Sequence, residues 1–343
     1  MANNFDIMFG MNIHVIFTGG TISGVIEGDS IRPGGDLEGR LGLCDKNDLH
    51  FTFEEPYRIL SEDLKASHVL KLKDSVAMAA DHSDGIIITH GTDTLHYTAA
   101  LLHYMFAGVK IPVILVSSAY VLTDERSNGK ENFEAAVEYI RKKETPGVYI
   151  AYRNPSYKGR AQIIRGDRLL SSMAGSSDFY AYDGPDMRRG CGSYKEKKCA
   201  PGEDSDDFRS GDAGLEELIY DENLFADLFV RDIMLCEKSD MILRLAAYPG
   251  MCFNSDLVTD RTRVVMLEGY HSGTIGVTDE LRCFVNYCIE RRIPVLLSFL
   301  NSGECEYETV DAYRKAGIIP VYDMPPVALY CKLWLIFSNF TEN

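Results

Sequence analysis

Ile13-His14-Val15-Ile16-Phe17-Thr18-Gly19-Gly20-Thr21 and Gly85-Ile86-Ile87-Ile88-Thr89-His90-Gly91-Thr92-Asp93-Thr94 are the two stretches that decide the fold of this chain. Each is a short apolar run that breaks off in glycine and threonine, which reads as a strand buried on both faces and closed by a tight turn. After the second stretch, Leu95, Ala99, Leu102 and Phe106 recur at helical spacing, so that strand runs through its turn into a helix. Further out, residues 111–119 read as a strand, 133–141 as a helix and 147–152 as another strand. Alternation of this kind implies a parallel, doubly wound sheet.

The pattern breaks after Tyr182. Residues 183–215 are rich in glycine and mixed charge, including Arg188-Arg189, Lys197-Lys198 and Asp204-Ser205-Asp206-Asp207. That composition reads as a linker carrying a surface insert. Strands then return at 241–248, 263–267 and 294–299, with a helix at 278–291 and a closing helix after Met324-Pro325-Pro326. The expected class is α/β: a doubly wound parallel sheet in an N-terminal domain (1–183), a linker with its insert (184–215), and a second, smaller α/β domain (216–343).

A chain of 343 residues is long enough for two cores. Its formal net charge is -16, from 51 acidic against 35 basic side chains. Such a surface repels phosphate backbones and anionic headgroups, so neither nucleic acid nor membrane is an expected partner. The nine cysteines form no C-x-x-C pair, which gives no sign of a disulfide framework or zinc knuckle. No secretory leader is read at the N-terminus, and the apolar run 327–340 contains Lys332 and is too short to span a bilayer. A reducing cytoplasm is the expected location.

In an open parallel sheet, ligands bind beyond the carboxyl ends of the strands, near the point where the strand order reverses. Both threonine-bearing turns belong there. Gly19-Gly20 allows a sharp turn and close backbone approach, and Thr21 then presents a hydroxyl. His90-Gly91-Thr92-Asp93-Thr94 does the same from the second strand and opens a helix whose first amides favour an anion. One threonine can attack an amide carbon, while the other assists proton transfer and backbone N–H groups hold the oxyanion. Taken singly, each turn is equally readable as an ordinary helix cap. Both together, in this order, are more specific.

These residues carry a resemblance. Phe17-Thr18-Gly19-Gly20-Thr21-Ile22 resembles the N-terminal threonine signature of bacterial-type L-asparaginases, and Ile88-Thr89-His90-Gly91-Thr92-Asp93-Thr94 resembles their second signature. Ser61-Glu62-Asp63 is similar to the family's substrate-binding turn, and Arg126-Ser127-Asn128-Gly129 and Arg165-Gly166-Asp167-Arg168 to later segments of its first domain. The resemblance implies hydrolysis of asparagine, with some activity on glutamine, through an acyl-enzyme on Thr21. It implies that Thr92 and Asp93 assist proton transfer and bind the amino end. Ser61 and Glu62 would hold the α-carboxylate and α-amino groups, and Gly91 and Ser118 would line the pocket. It further implies a homo-oligomer, dimer or tetramer, with no metal or organic cofactor.

The chain departs from that family pattern twice. Residues 22–56 contain no tyrosine, where the family carries one in a loop after the first threonine, and Ile31 or a neighbour takes its place. No lysine falls between Gly159 and Tyr194, and Ser171 stands at the family lysine's position. Without that ammonium, Thr92 lacks the group that would favour its alkoxide and accept its proton. Glu304, Glu306 and Glu308 are candidates for a carboxylate from the second domain, although acidic side chains at a helix start explain them as well.

The remaining motifs are weaker. His96 and His103 share a helical face, with His82 and His90 nearby, but H-E-x-x-H is absent and exposed or core-edge histidines are the expectation. Neither Gly19-Gly20 nor Gly34-Gly35 is followed by a nucleotide-binding pattern, and Ser117-Ser118 lacks the G-x-S-x-G elbow. Three functions follow: an asparaginase, an amino-acid-binding or regulatory module that lost efficient turnover, and the ammonia-supplying subunit of a tRNA-dependent amidotransferase. The third is disfavoured because only about a dozen residues precede the first strand, which leaves no room for an added N-terminal domain.

Overall fold

The computed structural model describes residues 10–43, 48–170, 172–182, 212–226, 230–300 and 309–340. In the first part of the chain, β1 (Met11–Phe17) leads through a single 3-10 turn (Thr21–Ser23) into a hairpin of β2 (Gly24–Glu27) and β3 (Ser30–Pro33). There follow α1 (Leu37–Leu41), β4 (Leu49–Glu54), a 3-10 turn (Ser61–Asp63), α2 (Ala66–Ala80), β5 (Gly85–Thr89), α3 (Leu95–Met105), β6 (Pro112–Val116), α4 (Gly129–Arg141), β7 (Gly147–Tyr152) and β8 (Gln162–Arg165).

Six of these strands form one sheet in the order β4-β1-β5-β6-β7-β8. All neighbours are parallel except β8, which pairs antiparallel with β7 at the edge. The chain steps from β1 to β4 on one side, then crosses to β5 on the other, so the strand order reverses between β1 and β5. Those two strands share a continuous register, from Ile13 opposite Gly85 to Phe17 opposite Thr89. Strand alternation sorts the two faces. Ile13, Val15, Phe17, Ile87, Ile114 and Val116 pack against Phe133, Ala136 and Ile140 of α4. Glu54, on the opposite face, accepts a 2.7 Å hydrogen bond from Ser75 of α2.

In the second part come α5 (Asp212–Tyr220), β9 (Ile242–Ala246), β10 (Val264–Glu268), α6 (Asp279–Glu290), β11 (Val295–Leu300), α7 (Thr309–Lys315), β12 (Ile318–Tyr322) and α8 (Pro326–Asn339). Four parallel strands lie in the order β12-β11-β10-β9. One face of this sheet packs Val265, Leu267, Val295 and Leu297 against Leu281, Phe284 and Val285 of α6. The other packs Val264, Met266 and Leu296 against Leu329, Leu333 and Phe337 of α8. The chain is therefore an α/β protein built on two predominantly parallel sheets.

By its contacts the chain divides into two compact units. One runs to Ala181 and includes Glu222–Glu237, and the other holds Tyr182–Asp221 and everything from Lys238. The sequence reading assigns 222–237 to the second domain, whereas in the structure it packs with the first. A buried contact accounts for the difference: Lys73 of α2, 3% exposed, donates through Nζ to the carbonyl of Ile233 at 3.0 Å. Most of the expected linker lies outside the described residues, and its last part, from Asp212, is the start of α5. Ser171, Glu304, Glu306 and Glu308 also lie outside the described residues. Among the described residues, no helix is long and apolar enough to cross a membrane.

Candidate functional site

The exits of β1 and β5 meet backbone to backbone. A Cβ added at Gly20 would stand 2.3 Å from Gly91 Cα, closer than any real side chain tolerates. Gly20 also holds φ 73°, in the left-handed region, so glycine is required there twice over. A third segment joins the same point. Gly20 N–H donates to the carbonyl of Ile59 at 2.9 Å, and Ile59 N–H to that of Thr18 at 3.1 Å. This pairing carries the chain to Ser61, whose side chain would lie 2.5 Å from a Cβ at Gly91. Gly20, Gly91 and Ser61 thus pack in one file at the strand-order reversal. Thr18, buried, ties the two strands together by donating its hydroxyl to the Thr89 carbonyl at 2.7 Å.

Thr21 and Thr92 follow directly on the two touching glycines. Both are half-buried, and among the described residues neither hydroxyl has a hydrogen-bond partner. Asp93 and Glu62 are exposed. Ser61 is buried, and its hydroxyl donates to Asp93 Oδ2 at 2.8 Å while accepting from Asp93 N–H at 3.2 Å. The Thr94 hydroxyl donates to the Ser61 carbonyl at 3.0 Å, so the turn bearing Ser61 and Glu62 is clamped to the turn bearing Thr92 and Asp93. Thr21, Thr92, Asp93, Ser61 and Gly91, all singled out in the sequence, are gathered by these contacts, with Glu62 next to Ser61.

Ser118 follows the end of β6, the neighbour of β5. Its hydroxyl lies 2.6 Å from the Tyr120 carbonyl, 2.9 Å from Ser127 Oγ and 3.2 Å from Asn128 Oδ1. Asn128 in turn accepts from Ala119 N–H and donates to the Arg153 carbonyl. This serine is consumed in holding the loop that leads to α4.

Two residues of the site carry no signal that the sequence reading uses. His90 is 2% exposed, not at the edge of the core as expected, and so is His96 at 3%. His90 Nδ1 lies 2.8 Å from the Gly91 carbonyl, which can only accept, and Nε2 lies 2.9 Å from the Thr98 hydroxyl. The ring is therefore a neutral Nδ1–H tautomer that orients the peptide between Gly91 and Thr92. Burial pushes its pKa down to about 4, against the opposing pull of that carbonyl. Tyr57 is the second. Its hydroxyl is buried beside the Thr18 side chain, and burial raises its pKa well above the ordinary phenol value. A histidine immediately before the turn glycine is the available clue to the first; nothing local marks the second.

Arg165 and Arg168, the cations of the segment where the lysine is absent, are engaged with Asp167. Arg165 grips its carboxylate at 2.6 and 2.7 Å, and Arg168 Nε lies 3.5 Å away. Burial opposes the charge on Asp167, but His103, Arg165 and Arg168 outweigh it and hold the pKa below the usual carboxylate range. Among the described residues, no three His, Cys, Asp or Glu side chains are placed to hold a metal ion.

A doubly wound sheet with glycine-packed, threonine-bearing turns at its order reversal defines an α/β protein that presents two threonine hydroxyls where its strand order reverses. Residues 12–184 match the family model for the asparaginase N-terminal domain. The L-asparaginase of Thermococcus kodakarensis is 30% identical over 265 residues, which cover 76% of this chain and 71% of that protein. The chain belongs to the asparaginase family. It is also 26% identical to a glutamyl-tRNA(Gln) amidotransferase subunit from Thermoplasma volcanium, across 96% of this chain and 76% of that one. Among solved structures, L-asparaginase I from Vibrio cholerae superposes with a TM-score of 0.70 at 24% identity, covering 97% of this chain and 94% of the other. That likeness is one of fold.

Proposed function

We propose that this protein is an amidohydrolase that converts L-asparagine to L-aspartate and ammonia, with Thr21 as its nucleophile. The observation that carries this reading is the contact of Gly20 with Gly91, which brings together two turns whose threonine hydroxyls have no partner among the described residues. Thr21 Oγ1 attacks the side-chain amide carbon and loses its proton, which is relayed past Thr92 to the amide nitrogen. The C–N bond breaks, ammonia leaves, and an ester remains on Thr21. Water then adds to the ester carbon, Thr21 Oγ1 departs with a proton, and aspartate is released. Backbone N–H groups at the two turns stabilise the oxyanion of both steps.

Asp93 and Glu62 supply negative charge for the substrate's α-ammonium group. Because the Ser61 proton is held by Asp93 Oδ2, Ser61 first fixes that carboxylate and reaches the α-carboxylate only when the bond opens. The reading includes a cytoplasmic homo-oligomer, dimer or tetramer, and needs no metal or organic cofactor. Purified protein incubated with L-asparagine, L-glutamine and D-asparagine is expected to release ammonia fastest from L-asparagine. No release from any of the three contradicts the reading.

Two other readings rest on particular observations. The likeness to an amidotransferase subunit across 96% of the chain fits the same Thr21 chemistry supplying ammonia to a partner. It predicts slow release from free asparagine that rises when a partner and charged tRNA are added. The absence of lysine between Gly159 and Tyr194 fits an amino-acid-binding module. That reading predicts saturable asparagine binding by calorimetry with no ammonia.

A further inference from the structure

A cavity of about 290 Å³ opens beyond the ends of β1 and β4. Thr21, Thr92, Ser61 and Asp93 are not among its lining residues. It does share Gly19 and Ser23 with the turn that carries Thr21. Three kinds of surface meet in it. Phe17 and Phe53 lie stacked with ring centroids 5.8 Å apart and planes 9° from parallel, next to Leu37. Arg58 gives Nε and Nη2 to Glu55, at 3.1 and 2.6 Å, which leaves Nη1 with no partner among the described residues. Four carboxylates line the cavity, those of Asp36, Glu38, Glu54 and Glu55; Glu55 is held by Arg58 and Glu54 accepts from Ser75, which leaves Asp36 and Glu38 as the less engaged pair. Only Oδ1 of Asp36 is used, as acceptor from Gly39 N–H, and the Glu38 carboxylate has no ion pair or hydrogen bond among the described residues.

We propose that this cavity binds a free α-amino acid with an apolar, aromatic side chain. The lining suits no simpler ion, because it offers donors and acceptors together beside a flat apolar surface. Arg58 Nη1 takes the α-carboxylate, for which the planar guanidinium is well suited. Asp36 and Glu38 take the α-ammonium group, and the side chain rests on the Phe17–Phe53 pair. The cavity lies at the lower edge of the usual range for small-ligand sites and exceeds the volume of one aromatic amino acid. This assignment does not depend on Thr21 chemistry and stands or falls separately from it.

Calorimetry of the full chain with L-phenylalanine tests the proposal, with aspartate at saturating concentration to occupy the reaction pocket. L-Phenylalanine is expected to bind with one site per chain, unaffected by aspartate and by Thr21→Ala. Phenethylamine, which lacks the carboxylate, and 3-phenylpropionate, which lacks the ammonium group, are each expected to bind about tenfold more weakly or worse. Arg58→Met and Glu38→Gln should weaken L-phenylalanine by a similar factor. Both residues are exposed, and thermal melts of the variants check that they fold. Absence of binding to the wild type, displacement by aspartate, or equal affinity for all three compounds overturns the proposal. The analogue comparison on wild-type protein decides the matter even where a variant fails to fold.

Discussion

Three neighbouring strands of one sheet end in hydroxyl-bearing turns, and they end differently. At the exits of β1 and β5, glycines touch and Thr21 and Thr92 are left without hydrogen-bond partners among the described residues. At the exit of β6, Ser118 is buried and surrounded by Tyr120, Ser127 and Asn128. A hydroxyl at the end of a parallel strand is thus no indication of chemistry by itself. What distinguishes the first pair is that the backbone spends its close contacts on glycine and leaves the side chains free, whereas at β6 the side chain itself holds the loop.

The sharpest way to break the comparison is to truncate the hydroxyls. Thr21→Ala should lower ammonia release from asparagine by about 10³-fold or more, in steady-state assays, with folding intact. Retained release would put Thr21 on a level with Ser118. Next in size, Gly20→Ala forces a Cβ into Gly91 at a positive φ, and should cost roughly 3 kcal/mol in denaturant unfolding. A neutral result would mean that the two turns do not depend on that contact.

His90 gives a pH-dependent version of the same test. Its folded pKa, about 4, lies below the unfolded histidine value of about 6.5. The unfolded chain therefore takes up a proton first as pH falls. Stability from this group is full above about 6.5 and is lost on the way down to about 4, by roughly 3 kcal/mol in all. Unfolding measured across that window should show the loss, and His90→Gln should flatten it. The smallest effect belongs to Ser118→Ala, which should cost about 1–2 kcal/mol of stability and leave KM for asparagine unchanged. A large rise in KM would instead return Ser118 to the substrate pocket.

Much of this architecture is legible in sequence because buried parallel strands are unbroken apolar runs. Val-, Ile- and Leu-rich segments announce β1, β5, β6, β10 and β11. The edge strand β4, Leu-His-Phe-Thr-Phe-Glu, carries a different signal, the apolar–polar alternation of a half-buried strand, which a reading for unbroken apolar runs passes over. The antiparallel β8 is four residues long and too short to carry a periodic signal. The two threonine turns stand out because glycine has a physical cause there, seen in the packing of Gly20 on Gly91. The clasp of Ser61 on Asp93 links residues 32 apart, and the burial of His90 depends on α3 folding back over it. Neither has a local signature. Ser118 shows the converse: its position is legible, while the loop that occupies it is assembled from residues up to ten places on.

The proposed chemistry turns on a covalent bond to Thr21. Rapid acid quench of the protein with excess L-asparagine, followed by peptide mass spectrometry, should reveal a fraction of the Thr21 peptide heavier by asparagine less ammonia. That mass should be absent from Thr21→Ala. An adduct on another residue, or turnover with no adduct at any quench time while Thr21→Ala remains active, would contradict it.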